Sequence, residues 1–135
     1  MATLHGTCLC GGVKFEVDAD PGSLRVCHCT SCKQLSGGAG TVNFPAPPSA
    51  IRIVEGSDLL QSFTPEGGSA KTFCRNCGTN LFGGGWPDSE RCSVRVTTIE
   101  DPVDAKIGAH IYVRSLAPWE SPPDDGADRF ETTSR

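Results

Sequence analysis

The sequence has no hydrophobic stretch approaching the roughly 18 residues that cross a bilayer as a helix, and Met1 to Cys10 holds no apolar leader core. No membrane partner and no secretory leader are expected, and a cytoplasmic location is. Basic excess is missing as well. Twelve Lys and Arg stand against sixteen Asp and Glu, for a net charge of −4. Binding to nucleic acid rests on neutralising phosphates, so no nucleic-acid partner is expected. Aromatics are scarce: six Phe, two Trp and one Tyr. Apolar residues make up only 37%, so the core is lean. Charged residues reach only 21%, which excludes a charge-driven disordered polymer. There is no internal repeat, no linker and no second domain. The 135 residues are read as one domain, 1–135.

Turn-formers are abundant. Sixteen glycines and ten prolines exclude a helical bundle and point to a mainly β chain of short strands. Val13, Phe15 and Val17 alternate with Lys14 and Glu16, the pattern of a half-buried strand. Asp20 to Ser23 reads as a turn, and Leu24 to Cys27 as a short strand. Thr30 to Leu35 fits one or two helical turns closed by Gly37-Gly38. Gly40 to Phe44 is a strand ended by Pro45-Ala46-Pro47-Pro48. Ile51 and Ile53 flank Arg52 with period two. Leu59–Phe63 and Lys71–Phe73 form a hairpin around Pro65 to Gly68. Leu81-Phe82 leads into Gly83-Gly84-Gly85, read as a flexible run. Cys92 to Val96 alternates, and Ala109 to Val113 is the last strand candidate. The tail after about residue 120 is expected to pack loosely, with Trp119 and Phe130 as its large anchors.

Eight cysteines in 135 residues are the strongest signal. They run Cys8-x-Cys10, Cys27-x-Cys29-x-x-Cys32, Cys74-x-x-Cys77, then Cys92 alone. Seven sit in tight clusters. Thiolates so close repel one another unless a cation neutralises them, and zinc does this in a tetrahedron with sulfur at ~2.3 Å. Metal is therefore expected over a disulfide framework or redox pairs. A structural zinc supplies on the order of 10 kcal/mol of folding energy, enough to support a lean core.

A closed structural zinc takes four protein ligands, and a catalytic one takes three and keeps an open position. Cys8, Cys10, Cys74 and Cys77 make a four-sulfur structural site, with Gly78 permitting the knuckle turn. Cys27, Cys29 and Cys32 remain as a trio with one open corner. The alternative is closure by a fourth protein group, for which Cys92, His28, His5 and His110 are the candidates. His28 lies between two ligands and reads otherwise as a neighbour of the site or a surface histidine. Cys92, in an alternating strand, reads as a small buried hydrophobe. His5 and His110 carry no spacing signal.

At these residues the sequence resembles the glutathione-dependent formaldehyde-activating enzyme family, which includes the centromere protein V-like proteins. The resemblance runs through Gly6-Thr7-Cys8-Leu9-Cys10-Gly11-Gly12-Val13, Cys27-His28-Cys29-Thr30-Ser31-Cys32 with Ser36-Gly37, and Phe73-Cys74-Arg75-Asn76-Cys77-Gly78-Thr79. It ends with His110-Ile111-Tyr112-Val113, Ser115, Ala117-Pro118-Trp119 and an acidic stretch before Phe130-Glu131. It implies a β-tent fold of short antiparallel strands with two zinc ions and little helix. It implies the same division of ligands: Cys8, Cys10, Cys74 and Cys77 structural; Cys27, Cys29 and Cys32 catalytic. The implied activity joins formaldehyde to glutathione as S-hydroxymethylglutathione, formally a carbon–sulfur lyase working in either direction.

The expected chemistry is that a zinc at the trio lowers the pKa of a small thiol and holds it near an aldehyde. The partner is then a small-molecule thiol or thiol adduct, with glutathione the implied co-substrate. Arg25, Lys33, Arg75 and Arg95 are candidates for its carboxylates, each set against a plain solvated charge. Gly37-Gly38, Gly83-Gly84-Gly85 and Trp86 are candidates for a pocket border, set against turn geometry and a core cap. Two rival functions stand beside this one: a zinc-stapled binding module without catalysis, and a zinc enzyme for a different small molecule.

Overall fold

A computed structural model describes residues 2–133. Among the described residues it has eleven short strands and one α-helix. In chain order these are β1 (Thr3–Thr7), β2 (Lys14–Asp18), β3 (Ser23–Cys27), α1 (Thr30–Ser36), β4 (Thr41–Pro45), β5 (Ile51–Glu55) and β6 (Leu60–Phe63), then β7 (Lys71–Cys74), β8 (Asn80–Gly83), β9 (Ser93–Arg95), β10 (Lys106–Ile111) and β11 (Asp128–Arg129). The mainly β expectation holds. The chain divides into two compact units, one of residues 1–21 and 45–103, the other of residues 22–44 and 104–135.

The first unit holds a three-stranded antiparallel sheet in the order β1-β2-β5 and an antiparallel run of β6, β7, β8 and β9. Alternation decides the inward face of β2: Phe15 and Val17 are buried between half-buried or exposed neighbours. Val13, Leu81, Phe82 and Val94 join them in the core. Phe15 meets Phe82 edge to face, with ring centroids 4.9 Å apart, and Phe82 contacts Trp86 at 4.7 Å. Strand β1 carries no alternating apolar signal, because its inward positions are Leu4 and Gly6. Gly6 is there for space: a Cβ at that position would fall 2.0 Å from the Cζ of Phe15.

The second unit is built around β4-β3-β10-β11, with β3 antiparallel to β4 and parallel to β10, and β10 parallel to β11. Helix α1 follows β3 and matches its sequence signals. Cys29 accepts from the N–H of Cys32 as the N-cap, and Gly37 ends the helix in the left-handed region at φ 71°.

Several expectations need correction. Cys92 and Val96 lie outside β9, and Val96 instead begins a short 3₁₀ turn. Strand β10 starts at Lys106, three residues before the expected Ala109, and Val113 lies in a 3₁₀ turn after it. The glycine run is held in place: Gly83 pairs with Ser93, and Gly85 donates its N–H to the Ala70 carbonyl. Trp119 anchors nothing, being 79% exposed. The tail is mostly exposed yet tied to the fold. β11 adds to β10, Tyr112 donates to the Thr132 carbonyl, and Val113 donates to that of Phe130.

No helix among the described residues is long and apolar enough to cross a membrane.

Filling the space at Gly6 should be costly. Gly6→Ala is expected to destabilise the metal-loaded chain by about 1–3 kcal/mol through overpacking against Phe15. Gly38→Ala, whose added carbon would meet only the Ser36 hydroxyl at ordinary contact distance, should be near neutral in the same urea titration.

Candidate metal centres

The first cluster lies within the first unit. Cys8 and Cys10 sit in the β1–β2 connection, where Gly11 donates to the Cys8 carbonyl and Cys8 donates to that of Val13. Cys74 ends β7 and opens a tight turn, with Gly78 donating to the Cys74 carbonyl at 2.7 Å and Cys74 donating to that of Thr79. Leu9 N–H donates to the Thr79 hydroxyl, which fixes one turn against the other. The four sulfurs all lie within 4.8 Å of one another. Cys8 to Cys10 is 3.5 Å and Cys10 to Cys74 is 3.9 Å. A tetrahedron with bonds of ~2.3 Å has edges of about 3.8 Å, so the sulfurs already match the size of a four-thiolate zinc site.

The local electrostatics favour thiolates at the two more exposed positions. Hydrogen bonds from the Asn76 side chain, the Gly12 backbone and Cys8 hold the Cys10 thiol low. Burial opposes ionisation of Cys77, but hydrogen bonds from Thr79, the Cys10 backbone and Cys74 together bring its pKa down to about 5. Burial instead pushes Cys74 up to about 11. The Val13 N–H points at the Cys8 sulfur at 3.2 Å. All eight cysteines are free thiols, so none is spent in a disulfide.

The second cluster lies within the second unit, where Cys27, Cys29 and Cys32 form a group of three. Cys27 closes β3, Cys29 caps α1, and Cys32 is in the helix's first turn. Hydrogen bonding to Cys29 and Cys32, with burial, pushes the Cys27 thiol far up. Three sulfurs so placed could hold a cation, and no fourth Cys, His, Asp or Glu joins them among the described residues.

The four closure candidates are engaged elsewhere. Cys92 is fully buried and its thiol donates to the Ser89 carbonyl at 2.6 Å. His5 is exposed and lies between Asp101 and Glu16. His28 and His110, instead of being surface groups, are buried and hydrogen-bonded to each other, Nε2 to Nδ1, at 2.8 Å. The other His28 nitrogen, Nδ1, donates to the Ala39 carbonyl at 3.1 Å. The other His110 nitrogen, Nε2, meets Asp125 Oδ2 at 2.9 Å. Burial lowers the His28 pKa, while His110, then the Ala127 N–H, hold Asp125 below the usual carboxylate range.

The cationic candidates separate too. Lys33 on α1 is committed to Glu120 at 2.7 Å and to the Ser115 carbonyl at 2.7 Å. Glu120, with a side chain only 5% exposed, also accepts from the Ala117 N–H. Arg95 is buried against Gly83 and donates Nε–H to Asn80 at 2.6 Å. Arg25 is half-buried and Arg75 exposed. Glu120 and Asp125 escaped sequence reading. The only signal they left was an acidic stretch, which does not say what each carboxylate meets.

The fold and donor set define a mainly β protein with two separate thiol clusters suited to metal ions. The model of the glutathione-dependent formaldehyde-activating enzyme family matches residues 3–115, and the chain belongs to that family. A curated relative from Halomonas elongata, which carries that enzyme's name provisionally, is 28% identical over 94 residues, covering 63% of this chain. The match spans 59% of the relative's own length. The fold resembles the crystal structure of a Rhodobacter sphaeroides protein, with a TM-score of 0.59 at 22% identity over 93% of this chain and 98% of that one.

Two outcomes follow. Cys74→Ser should lower bound zinc by one ion per chain and reduce the melting temperature by roughly 10 °C or more, because a structural zinc carries several kcal/mol; elemental analysis and thermal unfolding measure both. The second concerns Glu120, whose carboxyl the Ala117 N–H, then Lys33, hold below its usual range. A depressed carboxylate stabilises the fold above its unfolded pKa and loses that contribution as pH falls. Glu120→Gln should therefore melt below the parent chain at pH 7, and the gap should close between about pH 5 and pH 3.

Proposed function

We propose that the chain is a carbon–sulfur lyase-type enzyme acting at Cys27, Cys29 and Cys32 on a small-thiol adduct of formaldehyde, of the S-hydroxymethylglutathione kind. The single observation that carries this reading is the unequal sulfur count: four thiols in one cluster, three in the other. Family membership supports the substrate class. In the forward direction a C–S bond forms between thiol sulfur and the carbonyl carbon. The carbonyl π bond opens, and the thiol proton ends on the new hydroxyl. No electrons are exchanged with a third partner, so no redox cofactor is required.

The trio offers donors that fit zinc, the group the family implies. When bound, zinc supplies a positive centre that favours the thiolate form of a thiol substrate. The chain's own residues hold this place rigid. Cys29 is fixed as the cap of α1, and Cys32 rides the helix's first turn. Lys33 ties the same helix to Glu120 and Ser115. His28 and His110 have both ring nitrogens occupied, so neither competes for the fourth corner.

One observation favours a second reading, a non-catalytic zinc-stapled module: Cys27 and Cys32 are buried. X-ray absorption separates the two. Three sulfurs plus one exchangeable lighter atom at one ion supports the enzyme, and four fixed protein ligands at both ions supports the module. In an assay of S-hydroxymethylglutathione and related thiol adducts, the parent chain should turn over at least one. Cys29→Ser should lose that activity while keeping most of its melting temperature. Collapse of the fold in this variant would make the trio structural.

A further inference from the structure

We propose that Asp125, His110 and His28 form a strap that aims the sulfurs of Cys27 and Cys29 at one point; this rests on the reading of the trio as a metal site. The argument begins with backbone geometry. Cys27 closes β3, and the His28 N–H continues the ladder by donating to the Ile111 carbonyl at 3.0 Å. Cys29 is extended as well, at φ −62° and ψ 154°. Successive side chains of an extended segment point to opposite faces. A ring clamped at position 28 therefore turns the sulfurs at 27 and 29 toward the other side.

The clamp is continuous. From the Ala39 carbonyl it passes through His28 and His110 to Asp125, with distances of 3.1, 2.8 and 2.9 Å. His28 is 3% exposed and His110 2%. Asp125 is itself fixed, since its other oxygen accepts from the Ala127 N–H at 3.0 Å. The histidine beyond it is held on a second side, because Phe130 donates to the His110 carbonyl. The strap thus joins the end of β3, strand β10 and the turn before β11. By the same alternation the His28 ring lies on the face away from the two sulfurs. The three residues act through the thiols and are positioning residues. Loss of such outer contacts typically costs 10–100-fold in metal affinity.

The test uses the full chain loaded with cadmium-113. The parent should give two resonances, one for each sulfur cluster. In Asp125→Ala and His110→Gln, the trio's resonance should move, and its ion should pass to a chromophoric chelator about 10–100-fold faster than in the parent. The four-sulfur ion should keep its resonance and its rate, which makes it an internal control for folding. Asp125→Glu, which keeps a carboxylate, should recover most of the parent's behaviour. Unchanged resonances and rates in both variants overturn the strap. Equal acceleration of both ions also overturns it, in favour of general loosening. A parent chain with only the four-sulfur resonance would instead remove the reading of the trio beneath it.

Discussion

Sulfur crowding is the constraint on which both centres turn. Seven thiols are drawn into two groups, and as thiolates they would repel one another without a cation between them. The protein prepares for that cation unevenly. Around Cys8, Cys10, Cys74 and Cys77, backbone and side-chain donors lower the Cys10 thiol and bring Cys77 down to about 5. Around Cys27, Cys29 and Cys32, hydrogen bonding to Cys29 and Cys32, and then burial, pushes the Cys27 thiol up instead. Two thiols of the first cluster are eased toward thiolate, while burial holds Cys74 back there as hydrogen bonding and burial hold Cys27 back in the second.

Helix α1 shows how much outside support the trio has. Seven residues are far too few for an isolated helix in water. Its ends are fixed by the Cys29 cap and the left-handed Gly37, and its middle by the part-buried Lys33–Glu120 pair. Lys33 follows Cys32 directly, so the pair that steadies the helix also steadies a candidate ligand. Residues from the chain's last quarter (Ser115, Glu120 and Asp125) do much of this holding, although their stretch of sequence is polar and turn-rich.

What could be read from sequence was what local spacing encodes. The cysteine clusters, the α1 signals at Thr30 to Gly37, the hairpin of β6 and β7, and the alternation of β2 all repeat a short-range pattern. What could not be read was partnership over distance. His28 and His110 lie 82 residues apart in the chain, as do Lys33 and Ser115. Arg95 looked like a solvated charge because nothing beside it announces Asn80 or the space above Gly83. Strand β1 was silent because Gly6 contributes no apolar signal where Phe15 fills the gap. Strand β11, only Asp128–Arg129, is held by backbone pairing that leaves no mark on side-chain pattern.

Chain entropy argues for a division of labour between the clusters. Cys10 and Cys74 are separated by 64 positions, whereas the trio spans a single short segment. Closing a loop costs about (3/2)RT ln n, so bridging the long loop removes roughly 3 kcal/mol more unfolded-state freedom than bridging a three-residue step. A metal in the four-sulfur cluster therefore does most of its work as a cross-link. The trio gains little from cross-linking, since its ligands are already neighbours. Its requirement is direction: three thiols on a short extended-to-helical corner must face one point. Covalent proximity cannot supply that, so direction has to come from contacts around the corner, which is where the buried histidines and the Lys33–Glu120 pair are found.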